Sequence, residues 1–191
     1  HKVCGEYLSN EVLPYLKFLG VNPIAFGAKK ISEFAISTVD SKLVKSLLPL
    51  GGFGISRYTL DHLLATKAIE NGVKIIQDTV VDISFVKDEF TVFTKSEKNF
   101  KTRIVIGAYG KRSNIDVQLN RNFIKNESPY LAVKTHHKGN FPESLVALHN
   151  FRGGYCGVSK VENGHINLCY ITNYKAFKKY KNIDDFQQNV L

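Results

Sequence analysis

A chain of 191 residues with 43% hydrophobic and 12% aromatic content has the apolar material for one packed domain, or a domain with an added lobe, which excludes a disordered linker. Lysine and arginine outnumber aspartate and glutamate 26 to 17, giving a net charge of +9. Methionine is absent and the opening His1-Lys2-Val3-Cys4-Gly5-Glu6 reads like a protein interior, so the chain is expected to be a piece of something larger, whose remaining charge is not counted here.

No run approaches the roughly 20 apolar residues that cross a bilayer, and no basic segment followed by an apolar one marks a signal peptide, so a cytoplasmic protein is expected. The three cysteines, Cys4, Cys156 and Cys169, are an odd number without CxxC spacing, which argues against both a disulfide framework and a zinc cage.

In chain order, Val12, Leu13, Leu16 and Leu19 stand near helical spacing behind Ser9 and before Gly20, predicting a short helix. The β-prone residues from Ile31 to Val39, a turn at Asp40-Ser41 and Leu43 to Leu50 predict a hairpin, which Gly51-Gly52-Phe53-Gly54 is expected to break. After Ser56, an amphipathic helix carries Leu60, Leu63, Leu64, Ala68 and Ile69 on one face and stops at Gly72. Strands are predicted at Val73 to Ile76, Thr79 to Val86, Glu89 to Thr94 and Thr102 to Ala108. The run Ile104-Val105-Ile106-Gly107-Ala108 has the continuous apolar character of a buried parallel strand.

A polar, basic stretch from Asn114 to Ser128 precedes strands at Leu131 to His137, Leu145 to Phe151, Tyr155 to Val161 and His165 to Ile171. Asn163-Gly164 makes the last two a hairpin, since a type I′ turn needs positive φ at both central positions. Tyr174 to Leu191 reads as broken helix. Helix and parallel-looking strand in the first half, with antiparallel sheet in the second, predict a mixed α/β (α+β) fold with two lobes.

Four stretches together resemble the FAD-dependent monooxygenase, halogenase and geranylgeranyl-reductase-like family. They are Lys2-Val3-Cys4-Gly5-Glu6-Tyr7-Leu8-Ser9, Ser56-Arg57-Tyr58-Thr59-Leu60-Asp61-His62-Leu63-Leu64, Ile106-Gly107-Ala108-Tyr109-Gly110-Lys111-Arg112-Ser113, and the hairpin from Gly154 to Leu168. The resemblance implies a partial FAD/NAD(P)-binding Rossmann-like domain with an inserted hairpin over 1–126, and a substrate lobe of antiparallel sheet and terminal helix over 127–191. It implies an oxidoreductase acting on a small or lipophilic substrate, with FAD as cofactor and NAD(P)H as a reductant. The implied FAD contacts are Cys4, Gly5, Arg57, Val80, Gly107, Ala108, Tyr109 and Gly110.

A guanidinium beside a helix N-terminus suits a diphosphate, and small residues let backbone amides approach a phosphate or ribose. Tyr109 departs from the family, standing where it has an aspartate. The family's GxGxxG and its second glycine-aspartate segment do not occur in the chain, which is therefore expected to hold FAD poorly alone. No acid, base or halogenase lysine is identifiable.

Each motif also has a plainer reading: a surface arginine at Arg57, a strand end at Gly107 to Gly110, a small buried hydrophobe at Cys4. His136-His137 is not read as a metal pair, because neighbours on a strand point to opposite faces. His62 and His149 are read as structural or exposed. Lys175, Lys178, Lys179 and Lys181 interleave with Tyr174, Phe177 and Tyr180, and Lys111-Arg112 with Arg121 forms a second basic group. That pattern serves a single-stranded nucleic-acid binder, the alternative to an enzyme, but it is also the pattern of a half-buried helix, which is the reading favoured here.

Overall fold

The elements follow in chain order as β1 (Tyr7–Ser9), α1 (Leu13–Phe18), β2 (Lys29–Ser37), β3 (Leu43–Gly54), α2 (Arg57–Glu70), β4 (Val80–Val86), β5 (Glu89–Thr94), β6 (Asn99–Thr102), α3 (Asn114–Gln118), β7 (Tyr130–His137), β8 (Leu145–Phe151), β9 (Gly154–Lys160), β10 (Ile166–Asn173), α4 (Tyr174–Phe177) and α5 (Ile183–Val190). The structure is a computed structural model that describes residues 2–110 and 113–191. His1, Lys111 and Arg112 lie outside the described residues, and with them part of the glycine turn and of the second basic group. Two compact units result, His1–Val73 with Pro129–Leu191, and Lys74–Ser128.

The first unit is built on a seven-stranded mixed sheet in the order β1-β3-β2-β8-β9-β10-β7. Its neighbours run antiparallel except β2 and β8, which pair parallel from Glu33 opposite Leu145 to Ser37 opposite His149. The predicted hairpin forms, but β3 continues through Gly51 to Gly54 instead of breaking there. Close packing explains the glycines. A Cβ on Gly52 would meet the Tyr7 ring and the Leu8 carbonyl at 2.4 to 2.5 Å, and one on Gly54 would lie 2.0 Å from the Lys160 carbonyl oxygen. β1 and β9 can approach this strand only because those side chains are missing.

The core of this half joins Leu16 and Val21 from around α1, Phe53 and Ile55, and Leu60 and Leu63 from α2. Ser56 caps α2 through the Thr59 amide, as its position before the apolar period predicts. Ile69 falls outside the buried face and is 56% exposed.

The alternation of β7, β9 and β10 divides the sheet into two faces. Register aligns Lys134 with Cys169 and Gly157, and His136 with Asn167 and Ser159. The opposite face carries Val133, Cys156, Val158, Leu168 and Tyr170, which pack with Phe186 of α5, Phe177 and Tyr180. Asn163 and Gly164 both have positive φ, 58° and 69°, as the predicted turn requires.

The second unit is a three-stranded antiparallel sheet, β4-β5-β6, with α3. Two expectations need correction around it. Val73 to Ile76 is not a strand, and the predicted buried parallel strand Thr102 to Ala108 is not one either, because the ladder ends at Thr102 and residues 103–108 pair with no described strand. Ile104 and Ile106 are 75% and 86% exposed. Apolar continuity predicts a buried strand only where neighbouring strands cover it.

Candidate functional site

The segment Cys4-Gly5-Glu6 lies across the polar face of β9, β10 and β7. The Asn167 side-chain amide donates to the Gly5 carbonyl at 2.8 Å, and the Ser159 hydroxyl reaches it at 3.4 Å. These contacts hold Glu6 with φ at 53°, a left-handed conformation uncommon for a residue with a Cβ. Its carboxylate is fully buried. Oε1 accepts from Lys134 Nζ at 2.5 Å and from the Arg57 amide at 2.8 Å, while Oε2 meets His136 Nε2 at 2.5 Å. His136 in turn stacks on His165 with ring centroids 6.0 Å apart. One carboxylate thus ties the N-terminal segment, α2 and β7 together.

A second buried carboxylate serves the same helix end. Glu162 Oε2 accepts from the Ser56 amide at 2.8 Å, and Oε1 accepts from the Thr59 hydroxyl at 2.6 Å and from the Ser56 hydroxyl. Burial pushes the Glu162 carboxyl up, but the hydrogen bonds from Ser56 and Thr59 outweigh it and leave it below the ordinary carboxylate range. Glu6 and Glu162 therefore occupy the positive end of α2, and the amides of Ser56, Arg57 and Thr59 are spoken for by side chains of this chain.

What α2 leaves accessible is the Arg57 side chain. Its guanidinium bonds Asp61 at 2.9 and 3.2 Å, one turn along, and Lys2 reaches the other oxygen of Asp61 at 2.8 Å. Burial raises Asp61, but the hydrogen bonds from Lys2 and Arg57 dominate and hold the carboxyl low. Arg57 also interacts with the Cys4 thiol. Lys2, Arg57, Tyr58, Asp61, His62 and Lys134 line a cavity of about 450 Å³ in which three cationic side chains face one carboxylate. Its charge and size suit a phosphate or another anionic group.

Of the residues singled out from the sequence, Arg57 lines this cavity and Cys4 lies near its guanidinium, while the Gly5 carbonyl is held by Asn167 and Ser159. Cys169 lies on the same face, its thiol pushed up by burial and then by Cys4. Cys156 points the other way, where burial and then Cys169 push its thiol to about 12, far from a reactive thiolate at neutral pH. His136 and His137 diverge as adjacent strand residues must, toward Glu6 and Thr135 respectively. His149 bonds the Ser37 hydroxyl at 3.0 Å. Phe177 and Tyr180 of the basic segment are half-buried against the core at Phe186 of α5.

The remaining candidates belong to the second unit. Val80 opens β4 and is 40% exposed. Gly107, Ala108, Tyr109 and Gly110 lie in the irregular stretch after β6, with Gly110 at φ 78°. The Tyr109 hydroxyl donates to Asp116 Oδ1 at 3.0 Å, and Arg121 stands 3.3 Å from the same oxygen. A buried aspartate seven residues later thus anchors the Tyr109 side chain.

Glu6, Lys134, Glu162 and Asp116 were not assigned roles from sequence. The Lys134 and His136 pair was visible as two polar residues of like charge type on one face of a predicted strand. The tertiary caps carried no local signal.

No family model matches the chain, and no curated protein matches it. Solved structures do. The flavin-dependent brominase Bmp2 superposes with a TM-score of 0.74 at 15% identity, over 98% of this chain and 52% of that one. A geranylgeranyl bacteriochlorophyll reductase-like protein from Thermoplasma acidophilum gives 0.73 at 14% identity, over 97% and 49%. Klebsiella pneumoniae HpxO, complexed with FAD and uric acid, gives 0.67 at 12% identity, over 86% and 46%. The chain spans about half the length of the solved structures it matches. Its fold is accordingly a partial, mixed α/β version of the one shared by flavin-dependent halogenases, geranylgeranyl reductase-like proteins and their relatives.

Proposed function

We propose that this chain is part of an FAD-dependent oxidoreductase acting on a small or lipophilic organic substrate, and that the cavity beside Arg57 receives an anionic portion of the flavin nucleotide. The observation that carries the proposal is the cavity itself. Lys2, Arg57 and Lys134 bring three positive charges to it against the Asp61 carboxylate and the Glu6 carboxylate paired with Lys134, which leaves a positive excess. The donor set fits a phosphate through side chains, since Glu6 and Glu162 already hold the amides of α2. At about 450 Å³ the cavity fits part of a flavin nucleotide and not the whole of one.

Arg57 would supply the directed contact, Lys134 a point charge anchored by Glu6, and Lys2 an exposed third cation paired with Asp61. From the second unit, Val80, Gly107, Ala108, Tyr109 and Gly110 are proposed as cofactor contacts on the resemblance. A bound flavin supplies the redox chemistry, with NAD(P)H as the proposed electron source, and the protein supplies position and surroundings.

An apolar substrate is supported by the sheet face that Gly157 shares with Lys134. Along it, Phe34 aligns with Val146, Ile36 with Val44 and Leu148, and Tyr155 with Ile171. Ile36, Val44 and Tyr155 are 36%, 63% and 44% exposed, an open apolar surface of the kind that lines small-molecule sites.

The test is the visible absorbance of the purified protein, expressed with whatever its gene encodes before residue 1 and incubated with FAD. Flavin bands that survive gel filtration and are lost in Arg57→Ala support the proposal. A folded protein that stays colourless overturns it. With flavin bound, oxygen consumption separates a hydroxylase or halogenase from a reductase that saturates alkenes.

A further inference from the structure

On the sheet face opposite Glu6, the turn between β8 and β9, the end of β10, and the helices α4 and α5 enclose a cavity of about 530 Å³. Three cations open onto it: Arg152 from the turn, Lys175 from α4, and Lys179 just beyond. Neither Arg152, Lys175 nor Lys179 makes an ion pair with a described residue. No carboxylate lines the cavity. Asp185, beside the lining residue Phe186, accepts from the Lys181 amide just before α5 through Oδ2 and from Asn189 one turn along α5 through Oδ1.

Of the two amide side chains in the lining, Asn189 spends its Nδ2 hydrogens on Asp185 and Asn173 is the donor. Asn173 spends its side-chain oxygen on the Ala176 amide at 2.7 Å, which leaves its Nδ2 hydrogens for the cavity. Gly153 keeps the rim open, with φ at 98°. A Cβ there would fall 2.8 Å from the Ala176 Cβ and 3.0 Å from Asn173 Nδ2, so a larger residue would push the turn away from α4. The inner wall is apolar, made by Tyr180, Val190 and the buried Phe186.

We infer that this cavity is a second binding site, for a phosphate monoester attached to a flat apolar body. Three positive charges without a counter-ion exceed what a single carboxylate would balance and match a phosphate dianion, and the arginine fork favours its paired oxygens. The half-buried Tyr180 ring, backed by Phe186, and Val190 give an apolar body a surface to rest on. The site does not depend on the flavin proposal, because it uses none of the residues around Arg57 and lies on the other face of the sheet.

The test is nuclear magnetic resonance titration of the chain with phenyl phosphate, inorganic phosphate and phenol at fixed ionic strength. The expected result is saturable shifts of the Arg152 side chain, the Asn173 side-chain amide and the Tyr180 ring, with phenyl phosphate binding at least about tenfold more tightly than either fragment. Arg152→Gln and Lys179→Gln, both at exposed positions, are each expected to weaken it about tenfold, and Lys42→Gln on the distant hairpin is expected to leave it unchanged. Shifts spread evenly over surface lysines, equal affinity for inorganic phosphate, or indifference to both site variants would overturn the inference. Shifts centred on Arg57 would overturn it too, and would belong to the proposed flavin site instead.

Discussion

Glu6 concentrates the physics of the site in one side chain. A fully buried carboxylate is tolerated because Lys134, the Arg57 amide and His136 all meet it, and breaking such a pair by removing one member costs about 3 to 5 kcal/mol. Glu6→Ala is therefore expected to lower the unfolding free energy by about that amount in urea. The more searching measurement is a double-mutant cycle with Lys134→Met. If the ion pair is intact in solution, Glu6→Gln with Lys134→Met should be less destabilised than the sum of the single changes, since no charge is then left buried alone. Strict additivity would show that the two groups do not meet. Glu6 could be read in the sequence as a neighbour of Cys4 and Gly5, but its partners stand more than 50 and 120 residues away in the chain, at Arg57 and Lys134. No local pattern announces such a meeting.

At the scale of the element, α2 shows both what a sequence discloses and what it withholds. Its span follows from Ser56 as cap, the leucine period and the glycine stop, because those signals are local and the structure keeps all three. The use of its N-terminus does not follow from them. A free helix end would have favoured a phosphate, yet Glu162 from the β9–β10 turn takes the Ser56 amide and both first-turn hydroxyls. This arrangement has a pH signature. The Glu162 carboxyl lies below its ordinary value of 4.5 in the folded chain, so the unfolded state binds the proton more readily. The stabilisation is complete well above pH 4.5 and drains away as pH falls through the depressed folded value. Melting temperatures of the protein and of Glu162→Gln should accordingly differ most near neutrality and converge in acid. A gap that does not shrink as the pH is lowered from 4.5 into acid would mean that Glu162 is not the ionised cap.

For the whole molecule, the outcome depended on which contacts are local. Hairpins such as β9–β10 were legible because Asn163 and Gly164 sit beside the strands they join. The parallel pairing of β2 with β8, across more than 100 residues, left no trace in composition or period, and neither did the placing of β7 at one edge of the seven-stranded sheet. The failure at Thr102 to Ala108 is of the same kind. The apolar run was seen, but a strand is a property of two segments, and no described segment pairs with this one. Ile104 and Ile106 stand in solvent as a result, at 75% and 86% exposure. Removing a side chain that touches little costs little, so Ile104→Ser with Ile106→Ser should shift the unfolding free energy by no more than about 0.5 kcal/mol for each change. The same variant should bind less of a dye that reports exposed apolar surface and remain monodisperse at higher concentration. A large loss of stability would instead show that the two isoleucines are covered in solution, and a concentration dependence of that loss would identify a second copy of the chain as the cover.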